Sequence, residues 1–439
     1  MEIEVMPMNE FDVIIVGSGA AGLYCALHLN HNLKVLIITK TDLRECNSYL
    51  AQGGITSVIG ACDKASFVND TLKAGRYEND GDAVKMLADC ASDLISELLT
   101  LGMTFTAENG QLCFTKEGGH SKKRVVYTND ETGKHLIETL ASRVIDRKNI
   151  TLWEQTSLVD ILEDSVMKSC VGVVVERNGE MFNLHCDKTV LACGGIGGLF
   201  KKSTNQKTVS GDAIAIAYKH GITMRNLGYI QFHPTTLYEG ISSVRSFLIS
   251  ESVRGEGAYL LGIDKKRFID ELLPRDVVTQ AILTEQKRNN SQYVYLDISH
   301  KDKAYLVTRF PYIHEKCLVA GYDITKESIP VTPSQHYHMG GIQVDLHGKT
   351  SMNNLYAIGE VSCSGAHGAN RLASNALLEA LVYGEKAALD INERINLYST
   401  TAKNCVVYPE LRDAEYKATL VKSLLVSENG GISDELCIC

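Results

Sequence analysis

The sequence has no uninterrupted apolar run long enough to cross a bilayer, and no basic, apolar leader precedes its first predicted strand. It also has no excess of positive charge. The formal net charge of −9 argues against nucleic acid as a main partner, because few cations are available to neutralise phosphates. We therefore expect a cytoplasmic protein without a membrane span, and an anionic small molecule would need a local cluster of Arg and His.

Internal repeats and low-complexity linkers are lacking as well. The 13 cysteines are scattered, and without a leader we expect free thiols in a reducing compartment. Cys437 and Cys439 could ligate a metal, but a disordered tail is the preferred interpretation, and no metal site is predicted. A chain of 439 residues is too long for one simple core, so we expect two domains or one domain with a large insertion.

Strand-turn-helix patterns at both ends of the chain predict an α/β fold. A buried-type strand at 11–16, a glycine turn, a helix at 23–29 and a strand at 34–38 form a βαβ unit. Residues 66–103 have helical spacing, 150–191 alternate like strands, and a strand at 355–359 precedes a helix from about 372 to 389. The stretch 228–345 holds five of the seven prolines and is interpreted as an inserted α+β capping domain. The prediction is a Rossmann-like domain at 1–227 and 346–395, the cap at 228–345, and a short extension at 396–439.

A glycine fingerprint follows the first strand. Gly17, Gly19 and Gly22 fit G-x-G-x-x-G, in which the glycines allow a tight turn, close approach of a pyrophosphate, and helix–strand packing. The alternative is an ordinary glycine turn. The acidic residue expected after the second strand is replaced by Thr39-Lys40, so the fingerprint by itself leaves the nucleotide undecided.

A series of motifs indicates the family. In chain order they are Ser48-Tyr-Leu-Ala-Gln-Gly-Gly54, Glu117-Gly-Gly-His-Ser121, Ser210-Gly-Asp212, Gln231-Phe-His-Pro-Thr235, Arg254-Gly-Glu-Gly257, Pro274-Arg-Asp276, His336-Tyr337 with Gly340-Gly341, Ile358-Gly-Glu360 and Gly368-Ala-Asn-Arg371. Over about residues 10–390 the sequence resembles the succinate dehydrogenase/fumarate reductase flavoproteins, and within them most the L-aspartate oxidase family.

The resemblance implies FAD as cofactor. The cofactor-binding residues it implies are Gly17, Ser18, Gly19, Ala20, Ala21, Gly22, Lys40, Asn47, Ser48, Ala51, Gln52, Gly53, Gly54, Asp212, Glu360, Ala376 and Leu377. The flavin should be bound non-covalently, because Asn47 stands where membrane-type succinate dehydrogenases have the histidine that bonds to FAD. Ala376 and Leu377 would begin a helix whose N-terminus stabilises negative charge on the flavin.

The resemblance also implies a dicarboxylate site. Its catalytic residues would be Arg275, Arg371, His336 and His233, and its substrate-binding residues Glu117, Ser250, Glu251 and Gln231. Arg275 would either transfer a proton or only stabilise charge. Taken singly, the histidines could be structural, Arg275 could form a surface pair with Asp276, and Glu117 could be a solvated loop residue. A carboxylate at 117 would pair with the ammonium of aspartate, which succinate lacks.

The implied reaction oxidises L-aspartate to iminoaspartate and reduces FAD, with oxygen or fumarate as acceptor. In the family, iminoaspartate passes to quinolinate synthase in the first step of NAD biosynthesis. The alternatives are a soluble fumarate reductase or succinate-oxidising flavoprotein, and a non-catalytic flavoprotein. The family commonly continues into a helical C-terminal domain, whereas this sequence ends soon after residue 395.

Overall fold

The computed structural model describes residues 11–240, 245–395 and 405–429. The pair Cys437 and Cys439, considered above as metal ligands, lies outside the described residues. In the described part of the chain, no helix is long and apolar enough to span a membrane.

The described residues form helices and strands with the following bounds. The helices are α1 (Ala20–His28), α2 (Ala61–Ala74), α3 (Gly81–Thr100), α4 (Thr132–Ile145), α5 (Asp212–Lys219), α6 (Glu251–Gly255), α7 (Arg275–Arg288), α8 (Lys303–Arg309), α9 (Pro311–Val319), α10 (Asn375–Arg394) and α11 (Ala414–Asn429). The strands are β1 (Val13–Val16), β2 (Val35–Ile38), β3 (Ile55–Thr56), β4 (Ala107–Glu108), β5 (Gln111–Leu112), β6 (Phe114–Thr115), β7 (Val125–Val126), β8 (Ile150–Trp153), β9 (Thr156–Asp164), β10 (Cys170–Arg177), β11 (Glu180–His185), β12 (Lys188–Leu191), β13 (Met224–Arg225), β14 (Ile230–Leu237), β15 (Tyr259–Leu261), β16 (Val294–Asp297), β17 (Ile329–His338), β18 (Gly341–Gln343), β19 (Leu355–Ala357), β20 (Ser362–Cys363) and β21 (Cys405–Val406).

A parallel sheet of order β19–β12–β1–β2–β8 organises the nucleotide-binding part. Its strands read as continuous apolar runs because both faces are covered. Side chains of β1 alternate between two cores: Val13 and Ile15 pack with α1, α4 and α10, and Ile14 and Val16 pack with β10 and α5. The predicted α/β class with a Rossmann-like domain is confirmed.

The stretch 66–103, predicted as helical, contains two helices instead of one. Between α2 and α3 the chain turns at Arg76 and Tyr77, whose φ angles are 59° and 60°. These left-handed conformations cannot continue a right-handed helix. Side-chain periodicity does not report such a break, because both flanking segments keep the helical spacing.

The middle of the chain has its own core. Strands β14–β17–β16–β15 form an antiparallel sheet, and the apolar cluster over it runs from Leu237 to Val331. Helices α6 to α9 belong to the same stretch. This unit falls within the predicted cap, whose limits at 228 and 345 stay a prediction.

Residues 405–429, here called the C-terminal segment, pack on the nucleotide-binding part. Strand β21 pairs antiparallel with β9, and Val421 and Leu425 of α11 are buried in the core that contains α5. The charged stretch 410–422, which the sequence assigned to a short extension, is largely helical from Ala414 onward.

Candidate active site

A long cavity runs from the carboxyl edge of the parallel sheet to the cap. Sixteen of the predicted cofactor residues line it: Gly17, Ser18, Gly19, Ala20, Ala21, Lys40, Asn47, Ser48, Ala51, Gln52, Gly53, Gly54, Asp212, Glu360, Ala376 and Leu377. Seven of the eight predicted catalytic and substrate residues line it as well: Arg275, Arg371, His336, His233, Glu117, Ser250 and Glu251. The residues predicted to bind the cofactor and those predicted to bind the dicarboxylate therefore line the same cavity.

The glycine turn meets the sheet so closely that larger side chains are excluded. Gly17 has φ +116°, and a Cβ there would lie 2.2 Å from the backbone oxygen of Ala192. A Cβ on Gly22, which is not among the lining residues, would lie 2.1 Å from the oxygen of Gly17, so its role is helix–strand packing. Gly19 supplies no side-chain cap to α1, and Ser48 Oγ accepts from the N–H of Ala20 at 3.2 Å. Ala20 and Ala21 of the first turn line the cavity, so this helix N-terminus is placed to bind an anion such as a pyrophosphate.

The second strand ends in a polar group of its own. Lys40 Nζ forms an ion pair with Asp212 Oδ2 at 2.8 Å, and Ser18 Oγ donates to Thr39 Oγ1 at 3.0 Å. An acid is thus present at this end of the cavity, but it comes from the start of α5 instead of the end of β2. The sequence spacing of the generic fingerprint could not reveal it.

The middle of the cavity carries amides and a second helix N-terminus. Asn47 accepts a hydrogen bond from the backbone N–H of Gln206 at 2.9 Å and donates to Asn205. A carboxamide offers no nucleophile for a covalent flavin link, which fits non-covalent binding. Helix α10 begins at Asn375 without a side-chain cap, and Ala376 and Leu377 of its first turn line the cavity.

Glu360 closes this middle region. Burial raises its pKa to about 7, although the backbone N–H of His338 donates to Oε1 at 3.0 Å. A Cβ on Gly195 would lie 2.9 Å from the same carboxylate oxygen. The backbone therefore approaches Glu360 closely from one side, and the carboxyl is fixed at the wall.

Two histidines and two arginines converge at the cap end. The rings of His233 and His336 lie 5.1 Å apart, and Thr204 Oγ1 is 2.8 Å from His336 Nδ1. The guanidinium carbon of Arg371 lies 4.6 Å from the centre of the Tyr337 ring. A fixed aromatic face and a fixed hydroxyl orient the two groups before any ligand binds.

Crowded positive charge dominates the electrostatics here. Burial and the neighbouring Arg275 lower the pKa of His233 and of His336 well below the ordinary value. The same two causes lower the pKa of Arg371 to about 10. Buried cationic groups that lower one another's pKa are stabilised in their charged form when an anion binds between them. Two arginines suit an acid with two negative charges.

Arg275 is held in place by two partners. It donates from Nε to Glu251 Oε2 at 2.5 Å and from Nη1 to Gln231 Oε1 at 2.9 Å. Gln231 was predicted to bind substrate, but it does not line the cavity; its amide nitrogen donates to Asn370 Oδ1 and to the backbone oxygen of Arg371. Gln231 thus links the two arginines from behind.

The carboxylate of Glu251 lies between two guanidiniums. Its Oε1 is 2.9 Å from Arg254 Nη2, and its Oε2 bonds Arg275. Burial would raise the pKa of Glu251, but the charges of Arg254 and Arg275 outweigh it and lower the pKa. Asp276, the alternative partner of Arg275 considered from sequence, instead forms its ion pair with Arg76.

Glu117 is 1% exposed, so it is not a solvated loop residue. Ser374 Oγ donates to its Oε2 at 2.6 Å and Ser252 Oγ to its Oε1 at 2.9 Å. Burial raises the pKa of Glu117, against the opposing effect of the Ser374 hydrogen bond. A buried carboxylate beside the cationic end of the cavity is suited to a cationic group on the ligand.

Sequence reasoning missed several residues that complete the site. They are Thr204, Asn205, Arg245 and Ser374, which line the cavity, and Arg254, which is fully buried behind Glu251. Arg254 lies in a quoted motif but received no role. Ser374 has φ +61°, a conformation that only the structure reveals. Conservation of this serine and this arginine among relatives would have drawn attention to them, but conservation cannot be read from one sequence.

The residues fit FAD on structural grounds. Two helix N-termini and a glycine wall face the long arm of the cavity, as a dinucleotide requires. At the acid end, His233 Nε2 and Arg371 Nε are buried without a hydrogen-bond partner among the described residues. Buried polar atoms of this kind usually bond to a ligand or water.

Comparisons with known proteins agree with this geometry. The FAD binding domain family model matches residues 12–377. The chain is 48% identical to the L-aspartate oxidase of Clostridium perfringens, covering 98% of this chain and 97% of that protein. It is 51% identical to that of Clostridium acetobutylicum over 90% of each chain. With the Yersinia pestis L-aspartate oxidase the identity is 43%, over 88% of this chain and 75% of that protein.

A solved structure gives the same assignment at the level of fold. A mutant FrdA of the E. coli quinol fumarate reductase superimposes with a TM-score of 0.83 and 30% identity, over 95% of this chain and 74% of that one. This chain therefore belongs to the L-aspartate oxidase family, among the flavoproteins built on the FAD binding domain.

Proposed function

We propose that this protein oxidises L-aspartate to iminoaspartate with FAD as a non-covalent cofactor, and that oxygen or fumarate accepts the electrons. The observation that carries the proposal is the pairing of a buried carboxylate, Glu117, with a buried cluster of cations in one cavity. An amino dicarboxylate carries the complementary charges, one ammonium and two carboxylates. When bound, FAD supplies the two-electron acceptor for the substrate's Cα–H bond.

Four side chains hold the two carboxylates. Arg371 clamps one, with His336 beside it, while His233 and Ser250 hold the other. Guanidinium groups bind carboxylates through two parallel hydrogen bonds, which also fixes the orientation of the substrate. Such fixation places the reacting carbon reproducibly and contributes to rate through lost rotational freedom.

Glu117 recognises the ammonium. Its carboxylate is fixed by Ser374 and Ser252, so it does not need to reorganise when substrate binds. Specificity for aspartate over succinate follows, because succinate leaves a buried carboxylate without its cation.

Arg275, Glu251 and Arg254 form a continuous row from the cavity into the cap. The distances along it are 2.5 Å and 2.9 Å. We propose that Arg275 stabilises negative charge at the substrate, and that Glu251 keeps this guanidinium oriented.

The second candidate is fumarate reduction or succinate oxidation, favoured by the likeness to FrdA. It uses the same arginines and histidines but has no use for a charged Glu117. The two functions therefore differ in one requirement of the site, which is recognition of the ammonium that aspartate has and that succinate and fumarate lack.

The test is anaerobic mixing of the FAD-loaded protein with aspartate, succinate, glutamate or malate, followed by absorbance at the flavin band. Rapid bleaching by aspartate and slow or no bleaching by succinate is expected. Bleaching by succinate as fast as by aspartate would favour the second candidate, and no bleaching by any acid would indicate a non-catalytic flavoprotein. Reoxidation with oxygen or with fumarate then compares the acceptors.

The remaining expectations rest on the resemblance. The cytoplasmic location and the transfer of iminoaspartate to quinolinate synthase belong to this proposal. So do the domain limits at 228 and 345 and the assignment of the individual site residues.

A further inference from the structure

The C-terminal segment contacts the two elements that begin at the nucleotide end of the cavity. Strand β21 pairs with β9, whose first residues, Thr156 and Leu158, line the cavity. Helix α11 packs on α5, whose first residue, Asp212, also lines it. The segment thus lies behind the wall on which the adenosine end of FAD would rest.

One charged side chain of α11 reaches through to that wall. Lys417 is 4% exposed, and its Nζ lies 3.2 Å from the backbone oxygen of Leu158 and 3.8 Å from Asp212 Oδ1. Asp212 meanwhile pairs through Oδ2 with Lys40. The single carboxylate therefore lies between a lysine that follows β2 and a lysine from the C-terminal segment.

The segment is locked to the same elements at its other end. His220, directly after α5, is sandwiched between Asp160 and Glu163 of β9, at 2.8 Å and 2.7 Å. The backbone N–H of Tyr408 donates to the second oxygen of Asp160 at 2.7 Å, and Lys219 pairs with Glu410 at 2.7 Å. Displacing the segment would break contacts to both β9 and α5.

Packing adds to these polar contacts. A Cβ built on Gly211, the residue before Asp212, would meet Val421 of α11 at 3.3 Å. The turn at Gly211, which leads into α5, therefore packs closely against α11. The carboxylate of Asp212 at the start of α5 depends on α11 for its position as well as for its charge partner.

We propose that the C-terminal segment is part of the FAD site, with Lys417 as a positioning residue that sets Asp212 and Lys40 for the nucleotide. Docking of the segment and binding of FAD are then coupled, and coupling of two equilibria is reciprocal. FAD should tighten the segment, and weakening the segment should weaken FAD binding. The inference rests on the assignment of FAD as cofactor.

The first test measures the dissociation constant of FAD for the apoprotein by fluorescence quenching. Lys417→Met, which keeps the length and removes the charge, should weaken binding about tenfold or more, since a buried charged contact is lost. Lys417→Arg should recover part of the affinity. Arg412→Met is the matched control, because Arg412 is an exposed cation of the same segment, and it should bind FAD like the wild type.

A double-mutant cycle distinguishes positioning from general stability. If Lys417 acts through Asp212, Lys417→Met should cost less than about threefold when added to Asp212→Asn. Full additivity of the two losses would overturn the proposed role. An equal loss of FAD affinity in Arg412→Met would also overturn it, because the effect would then not depend on the position of the charge in the segment.

Hydrogen exchange on the wild-type protein tests the reciprocal effect without any variant. Addition of FAD should slow exchange at the backbone amides of 405–429, and unchanged exchange there would overturn the inference. A wild-type protein that fails to bind FAD would instead defeat the proposed function. If the Lys417→Met variant binds FAD as tightly as the wild type, the inference is overturned and the proposed function stands.

Discussion

Replacing Glu117 by glutamine removes one charge from the cavity and little else. Glutamine has nearly the same shape. Its amide oxygen can still accept from one of the two serines that fix the wild-type carboxylate, Ser374 and Ser252, while its NH2 group donates to the hydroxyl oxygen of the other. The fold should therefore be kept. What is lost is the ionic partner for the substrate ammonium in a buried site.

The size of the effect follows from that contact. A hydrogen bond to a charged group is worth about 1.5–3 kcal/mol, which corresponds to a loss of roughly 10- to 150-fold in kcat/KM for aspartate. Fumarate has no ammonium, so its reduction should fall by less than about threefold. The ratio of the two activities is the informative quantity.

The assay is steady-state turnover of aspartate with oxygen, and of fumarate with a chemically reduced electron donor, on the same FAD-loaded preparation. Glu108→Gln makes the same change at an exposed position of β4 and serves as the control. Equal losses for aspartate and fumarate would refute the reasoning, since they would indicate a structural role for the carboxylate. An unchanged aspartate rate would refute it as well.

The pH profile provides an independent check. Burial raises the pKa of Glu117, so its charge is lost on acidification at a higher pH than for an ordinary glutamate. Only the ionised form pairs with the ammonium, so kcat/KM for aspartate should fall as the pH falls through that raised pKa. The Glu117→Gln variant should lack this acidic limb.

Three further outcomes are expected. Arg275→Lys should slow flavin bleaching by aspartate at least about 100-fold in stopped-flow mixing while the flavin spectrum persists, because lysine cannot make the two-pronged contact; near-normal rates would remove this arginine from the chemistry. Gly17→Ala should lower the free energy of unfolding by roughly 2–4 kcal/mol and weaken FAD binding, measured by denaturant titration, because its Cβ would lie 2.2 Å from a backbone oxygen at φ +116°. Arg124→Met should lower the free energy of unfolding by about 3–5 kcal/mol in the same titration, because it leaves the buried carboxylates of Asp63 and Asp70 without their cation. The control Lys85→Met, at an exposed position, should change it little.

The sequence predicted the parts of the fold that local patterns encode. The βαβ unit, the strand at Leu355–Ala357 and the helix that begins at Asn375 all lie where periodicity and glycines placed them, within a few residues. The break between α2 and α3 was missed, because it depends on two left-handed residues and not on composition.

The site divides in the same way. Residues in contiguous motifs, such as Gly17 and Asn47, could be assigned to the cavity from the sequence and the resemblance. Ser374 could not, because it acts on Glu117 across 257 positions. Arg254 stands only three residues from Glu251, but the sequence did not show that its side chain is buried against that carboxylate. Gln231 was placed at the substrate, yet its contacts are to the arginines.

The strand order of the parallel sheet has a consequence for how the protein is made. Strand β12 enters between β1 and β19, so the sheet is incomplete until residue 357 has been synthesised, and the helix end at Asn375 follows later still. In a chain still on the ribosome, the glycine turn is therefore exposed long before β19 and the start of α10, which complete the cavity, have been made. Cofactor capture therefore has to wait until residue 377 has been made, and until then the apolar cleft stays exposed and prone to aggregation.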